Sequence, residues 1–352
     1  MARIRVGILG ATGTVGQRFL QLLEHHPQFV VTAVAASDRS QGKPYATAST
    51  WRLPGAVPAG VADLVVQAPE PPLDCDLVFS SLPSDIAGAI ETRFARAGYP
   101  VLTNSSPHRM DDAVPLLIPE VNSEQLGLLD ACRETGGGFI VANPNCSTVM
   151  IALALAPLSV RFGVEAVVAT TLQAISGAGY PGVASLDITD NVIPFIAEEE
   201  EKIARETRKI LGTLDVGGGG GRVTPATFSV SAQCHRVNVV DGHLAALRVK
   251  LRRSADVAEL REAFSTFTGP PQQLKLPSAP ERPIVVRNEP DRPQPRLDRD
   301  AGRGMSVTVG RLAPDAVMGH RFVALSHNTI RGAAGAAILN AELLLARGYL
   351  KG

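Results

Sequence analysis

Three glycines constrain this chain more than any other feature. Gly10, Gly13 and Gly16 stand in a GxxGxxG spacing between an apolar run at 3–10 and a helical pattern at 14–25. The run ArgIleArgValGlyIleLeuGly reads as a buried parallel strand. In the helix that follows, Val15, Phe19, Leu22 and Leu23 share one face, and Pro27 stops the pattern. A second strand at 29–35 completes a βαβ unit, which implies a right-handed crossover and a doubly wound sheet. Glycine lets the backbone approach a pyrophosphate, and the helix N-terminus behind it offers amides and partial positive charge. The spacing by itself also marks ordinary turns; its place inside the first βαβ unit is what points to a dinucleotide.

The end of the second strand bears on which dinucleotide. An NAD enzyme commonly places an acidic residue there for the ribose hydroxyls. This chain has Ser37, Asp38, Arg39 and Ser40, then Lys43. Hydroxyls with cations suit a 2′-phosphate, so NADP(H) is the expected cofactor. Asp38 keeps a ribose contact open, and Arg39 with Lys43 also reads as a solvated loop.

Further strands are expected at 76–81, 100–104 and 138–147, the last running into a helix of small and apolar residues at 147–158. The alternation is that of an α/β fold with a Rossmann-like parallel sheet. We place a domain boundary here: 1–145 as the NADP-binding domain, 146–327 as a catalytic and oligomerisation domain. The helical tail, 328–352, is expected to pack back on the first domain. Beyond the boundary the pattern gives a strand at 166–175, a charged helix at 197–211 and long strands at 223–240 and 243–252. That describes a mostly antiparallel sheet with helices on one face, an α+β domain. Five consecutive glycines at 217–221 cannot hold a packed element, and the proline-rich, charged segment 268–300 reads as an extended excursion that reaches a partner subunit or wraps the surface.

Charge and cysteine usage exclude several classes of function. Thirty-four basic residues match thirty-four acidic ones, so no global field draws the chain to nucleic acid or an anionic membrane. No apolar stretch approaches the roughly 18 residues of a membrane span. The four cysteines show neither metal-ligand spacing nor a disulfide framework, so we expect no metal, a reducing cytoplasm and a small-molecule partner.

AsnProAsnCysSerThr, 143–148, puts Cys146 at a strand-to-helix junction, where the helix dipole is expected to lower the thiol pKa and favour thiolate. A lone cysteine is also commonly buried and inert, the reading given to Cys75, Cys132 and Cys234. His243, in AspGlyHisLeu, falls at a turn between two long strands, where an imidazole is held firmly and can exchange protons near neutrality.

Taken together, GlyIleLeuGlyAlaThrGlyThrValGlyGln, AsnProAsnCysSerThr and ThrIleArgGlyAlaAlaGly resemble the aspartate-semialdehyde dehydrogenases of the archaeal and fungal branch. The likeness runs nearly end to end, through AspLeuValPheSerSerLeuProSerAsp (76–85), AsnSerSerProHisArgMet (104–110), GlnAlaIleSerGlyAlaGlyTyrProGly (173–182), AsnValIleProPheIle (191–196) and GlnProArgLeuAspArg (294–299). The resemblance implies Cys146 as nucleophile, His243 as acid/base and Gln173 as the group positioning a hemithioacetal. It implies Arg236 on the substrate carboxylate, Glu199 on its ammonium, and Lys202, Arg109 and Asn104 on phosphate. On the cofactor side it implies Gly10, Thr12, Gly13, Thr14, Val15 and Gly16, then Ser37, Arg39, Ser40 and Ser81, with Ser176, Gly177 and Asn328 near the nicotinamide.

The implied reaction is NADPH reduction of aspartyl phosphate to aspartate semialdehyde and phosphate through a Cys146 thioester, in the route to lysine, threonine, methionine and isoleucine. The implied assembly is a homodimer or homotetramer. His235, Leu244 and Ala197 depart from the family pattern, all on the substrate side. A malonyl-CoA reductase resembles this branch closely, but a CoA substrate has no use for Arg109, Lys202 and Glu199 together; N-acetyl-glutamyl-phosphate reductases match the motifs less well. A non-catalytic dinucleotide sensor is disfavoured by Cys146, Gln173, Arg236 and His243 standing together.

Overall fold

The computed structural model describes residues 3–215 and 221–350. β1 (Ile4–Leu9), α1 (Thr14–Leu23) and β2 (Phe29–Ala35) form the opening βαβ unit. β3 (Leu77–Ser80), α2 (Ser84–Arg96), β4 (Pro100–Thr103) and β5 (Phe139–Ala142) complete a five-stranded sheet of order β2-β1-β3-β4-β5, parallel throughout. Ile4, Val6, Ile8 and Leu9 are buried in β1, and all four residues of β3 are buried, because helices cover both faces. Strand order reverses between β1 and β3, so a crevice opens beyond their carboxyl ends, at Gly10 and Ser81.

α3 (Cys146–Phe162) leaves β5 and is buried along most of its length, matching its apolar composition. β6 (Val164–Gln173) then begins a six-stranded sheet of order β11-β12-β13-β10-β6-β9, reached after α4 (Glu199–Ile210) and the small β7 (Thr213–Asp215) and β8 (Arg222–Thr224) ribbon. Its other members are β9 (Ser229–Arg236), β10 (His243–Leu251), β11 (Ile284–Val286), β12 (Val307–Asp315) and β13 (Gly319–Ser326), with α5 (Val257–Thr266) packed among them. The pairings β10/β6, β10/β13 and β12/β13 are antiparallel; β6/β9 and β11/β12 are parallel, so the sheet is mixed. The single long strand expected at 223–240 is broken. Pro225 lacks the N–H a ladder needs, and the residues up to Phe228 separate β8 from β9. Apart from Gly221, the expectation for 217–221 lies outside the described residues.

β9 and β10 are not neighbours, because β6 lies between them. The turn before His243 therefore crosses the end of β6 and gathers the ends of three strands: Gln173, Arg236 and the start of β10. β13 ends beside them, with Ser326 opposite His243.

The segment 268–300 is tied to its own chain. It supplies β11 to the sheet, and the buried Asp298 accepts from Arg287 and Arg292. Ser278 donates its amide and hydroxyl to Glu342, which also meets His26 Nε2 at 2.7 Å. Glu342 lies on α6 (Gly335–Ala346), entered through a π-turn at Ile330–Ala334. Ile338, Leu339 and Leu343 join Phe19, Leu20 and Phe79 in one buried cluster, as the tail's small apolar pattern anticipates. Arg331, inside the π-turn, is fully buried and forked onto Glu120 by bonds of 2.9 and 2.7 Å.

Candidate active site

A cleft of about 780 Å³ runs from the glycine loop to Arg236, between the two sheets. At one end are Gly10, Thr12, Gly13, Thr14, Val15, Ser37 and Ser81. Gly10 has φ +78°, and a Cβ on Gly16 would lie 2.2 Å from the Gly10 carbonyl oxygen, so side chains are excluded where α1 meets the loop. No side chain caps α1 and no acidic residue stands in its first turn, which leaves the positive end of the helix facing the cleft. Gly16 packs behind the loop. Arg39 and Ser40 are not among the residues that line the cleft: the Arg39 side chain is exposed beside the rim residue Ser37 while its carbonyl accepts from Lys43 Nζ at 3.1 Å, and Ser40 is buried. Asp38 is engaged with Gln41 at 2.8 Å.

Cys146 opens α3 at the floor of the cleft and is partly exposed. Asn145 caps the helix, its Oδ1 accepting from the amides of Ser147 (2.9 Å) and Thr148 (3.2 Å). The thiol does not have the lowered pKa expected from the helix dipole. Burial, then the negative charge of Glu199, push it up to about 12, outweighing Arg109, Arg236 and the Ser147 amide. Gly332 of the π-turn presses on this residue; a Cβ there would lie 2.7 Å from Cys146 Cβ.

Glu199 accepts from Asn145 Nδ2 at 2.8 and 3.0 Å and from Gln173 Nε2 at 3.0 Å, joining the carboxylate to the helix cap and the end of β6. It faces the cleft with Lys202, but the two do not pair; Lys202 Nζ lies 3.0 Å from Glu198. Arg236 lines the same wall and donates through Nη1 to the Ala174 carbonyl at 2.8 Å. Burial lowers its pKa, countered chiefly by Cys146 and Glu199. Asn104 and Arg109 line the cleft too. Asn104 accepts from Asn143 at 2.7 Å, and Arg109 pairs with Glu206 at 3.0 Å.

His243 is fully buried beneath this wall. Its Nδ1 accepts from the Ala174 amide at 3.0 Å, so the neutral ring carries its proton on Nε2, which has no partner. A Cβ on Gly177 would lie 2.9 Å from that Nε2, placing the Ser176–Gly177 turn directly over the ring. Burial, then the charges of Arg236 and His327, hold the imidazole down to about 3. Asn328 bridges this region: it donates to Ser176 Oγ at 2.8 Å and accepts from the Gly242 amide at 2.8 Å.

Reading the sequence missed Glu206 and Lys209. Both continue the inward face of α4, and their i+7 and i+10 spacing from Glu199 was the available signal. It missed Asn145 as the cap and Gly332 as the residue packed on the cysteine. Among the described residues no group of His, Cys, Asp and Glu is arranged to hold a metal.

The class is that of the semialdehyde dehydrogenases. One family model, "Semialdehyde dehydrogenase, NAD binding domain", matches residues 5–129, and another, "Semialdehyde dehydrogenase, dimerisation domain", matches 155–331. The aspartate-semialdehyde dehydrogenase of Methanothermobacter thermautotrophicus is 51% identical over 97% of this chain and 99% of its own. That of Schizosaccharomyces pombe is 45% identical over 99% and 100%. The crystal structure of the Candida albicans enzyme with NADP superposes with a TM-score of 0.92 at 41% identity, covering 99% of this chain and 100% of that one. The chain belongs to the aspartate-semialdehyde dehydrogenase family. It is an oxidoreductase with a dinucleotide-binding part and a dimerisation part.

Proposed function

We propose that this protein is an NADP(H)-dependent aspartate-semialdehyde dehydrogenase that reduces L-aspartyl 4-phosphate through a thioester on Cys146. The observation that carries the reading is the convergence on one cleft of Cys146, Gln173, Glu199 and Arg236, with the glycine loop at its other end. The loop fits a dinucleotide: the glycines exclude side chains, the helix end is uncapped, and Ser37 and Ser81 stand at the rim. Gly10, Thr12, Gly13, Thr14, Val15 and Ser37 hold the phosphates and ribose; Ser176, Gly177 and Asn328 hold the nicotinamide end. When bound, the nicotinamide supplies the hydride that reduces the acyl carbon.

The protein's own groups do the rest. Arg236 forks the substrate carboxylate, and Glu199 receives the ammonium. Burial is the larger cause of the raised Cys146 pKa and Glu199 the second; pairing with the ammonium offsets the Glu199 part, and the thiol proton passes to solvent as the thiolate forms. Attack on the acyl carbon forms the C–S bond and breaks the bond to phosphate, which Arg109, Lys202 and Asn104 receive. His243 is assigned the acid/base role: its Nε2–H has no internal partner, and the Ser176–Gly177 turn that covers the ring must shift for that hydrogen to reach the oxygen that gains charge as the carbon turns tetrahedral. Gln173, held by Glu199, fixes the same intermediate, and its collapse returns sulfur as thiolate.

We divide the chain into 1–145, completed by 328–352, for the cofactor, and 146–327 for catalysis and assembly. Burial of Ile338 and Leu339 with Phe19 supports this. The dimerisation-domain match supports a homo-oligomer, read here as a homodimer or homotetramer. No described helix is long and apolar enough to cross a membrane, and the four cysteines are free, which supports a cytoplasmic enzyme. The test is phosphate-dependent oxidation of aspartate semialdehyde with NADP, beside reduction of malonyl-CoA by NADPH. The first activity is expected; the second alone would overturn the reading. A clear kcat/KM preference for NAD would overturn the cofactor assignment.

A further inference from the structure

Glu199, Lys202, Glu206 and Lys209 fall at helical spacing along one face of α4. The first two line the cleft. The last two are buried, Glu206 2% and Lys209 4% exposed, and both act on the segment that carries Arg109. Glu206 Oε1 accepts from Arg109 Nη1 at 3.0 Å, while its Oε2 accepts from the backbone amide of Asn145 at 2.6 Å, one residue before the cysteine. Arg109 Nη2 donates to the Asn104 carbonyl at 2.6 Å. Two arms of the guanidinium are thereby fixed, and Arg109 Nε is a buried donor with no partner. Lys209 Nζ donates to the carbonyls of Arg109 (2.9 Å), Asp111 (2.7 Å) and Val114 (3.0 Å), pinning the backbone of the same segment.

We propose that Glu206 is the positioning residue of the phosphate pocket: one carboxylate oxygen aims Arg109 and the other holds the amide in front of Cys146, so anion site and nucleophile share one support. The inference rests on Arg109 being a phosphate ligand. Both Glu206 oxygens are occupied and the residue does not line the cleft, so it takes no part in the bond changes. Its negative charge opposes Arg109's pull on an anion; what it contributes is direction, fixed before phosphate arrives. A buried ion pair is a poor source of stability but a good source of geometry. Glutamine cannot replace it. A side-chain amide has one acceptor oxygen, so either the Asn145 amide or Arg109 Nη1 would face a second donor.

The test uses the full-length protein as wild type, Glu206→Gln and Glu206→Asp. Two measurements are made: calorimetric titration with inorganic phosphate, and steady-state oxidation of aspartate semialdehyde by NADP at varied phosphate. In the glutamine variant the Kd and KM for phosphate are expected to rise about ten-fold or more, the loss of one charge-assisted contact. The KM values for aldehyde and NADP stay near wild type, and aspartate recovers part of the phosphate affinity. Unchanged phosphate affinity, or equal losses in all three KM values, would overturn the proposal. If the glutamine variant does not fold, the aspartate variant carries the same comparison with smaller changes. A wild-type protein that binds no phosphate removes Arg109 as its ligand, and the functional reading with it. Wild-type binding matched by Glu206→Gln removes only the role of Glu206.

Discussion

At the scale of single residues, the position of Cys146 was legible and its chemistry was not. A strand followed by AsnProAsnCys and a helical run places a cysteine at a helix N-terminus, and the structure has it there. In the free protein the thiol pKa is raised, not lowered, because burial outweighs the helix end and Glu199 adds to it. Glu199 comes from a helix far along the chain, and its distance from the thiol cannot be read from spacing. If that carboxylate holds the proton on, Glu199→Gln should move the pH midpoint for iodoacetamide alkylation of Cys146 downward in the free protein. Following the Cys146 peptide by mass spectrometry separates it from the other three thiols; a midpoint that stays or rises would contradict the assignment. His243 was likewise found by its turn but not by its environment. Its burial and its tautomer depend on the Ala174 amide, which only the β6 crossover brings near.

Among the elements, periodicity served best where a segment packs on both faces or on one continuous stripe. β1, α1 and β2 were legible because β1 and β2 pair directly and α1 turns one continuous apolar face, with Phe19 and Leu23, to the interior, although that face is completed by the C-terminal helix. The stretch 223–240 was misread because β-branched and aromatic residues flank Pro225, and composition outvoted the missing N–H. α4 was half read: its first turn matched known motifs, while its second half looked like an ordinary amphipathic helix. The π-turn could not be foreseen at all. Its wide winding sets Gly332 against the first residue of α3, and a methyl group at that contact must displace the cysteine. Gly332→Ala is therefore expected to lower kcat on the order of a hundred-fold, the scale of a misplaced reacting group, with NADP affinity little changed. Equal kcat in the variant would show that the contact yields without moving the thiol.

For the molecule as a whole, the alternation of strands and helices announced two units, but how they are joined lay in pairs distant in sequence. Within the first unit, Arg331 and Glu120 tie the C-terminal tail to 1–145, both side chains fully buried and the contact bidentate. Removing one partner leaves the other charged and unpaired, so Arg331→Met should cost about 3–5 kcal/mol in urea unfolding. Adding Glu120→Met to that variant should recover much of the loss, and a double variant no better than the single would mean the pair acts through something other than its charge. The C-terminal helix has a different implication, one about synthesis. Phe19 and Leu20 find their partners in Ile338, Leu339 and Leu343, which leave the ribosome some three hundred residues later. The earliest-made sheet thus waits for the last-made helix, and until that helix is made the face it covers lacks its native partners. A premature stop near residue 335 would spare most of the catalytic cleft's residues and still leave the first-made half of the protein unable to close its core.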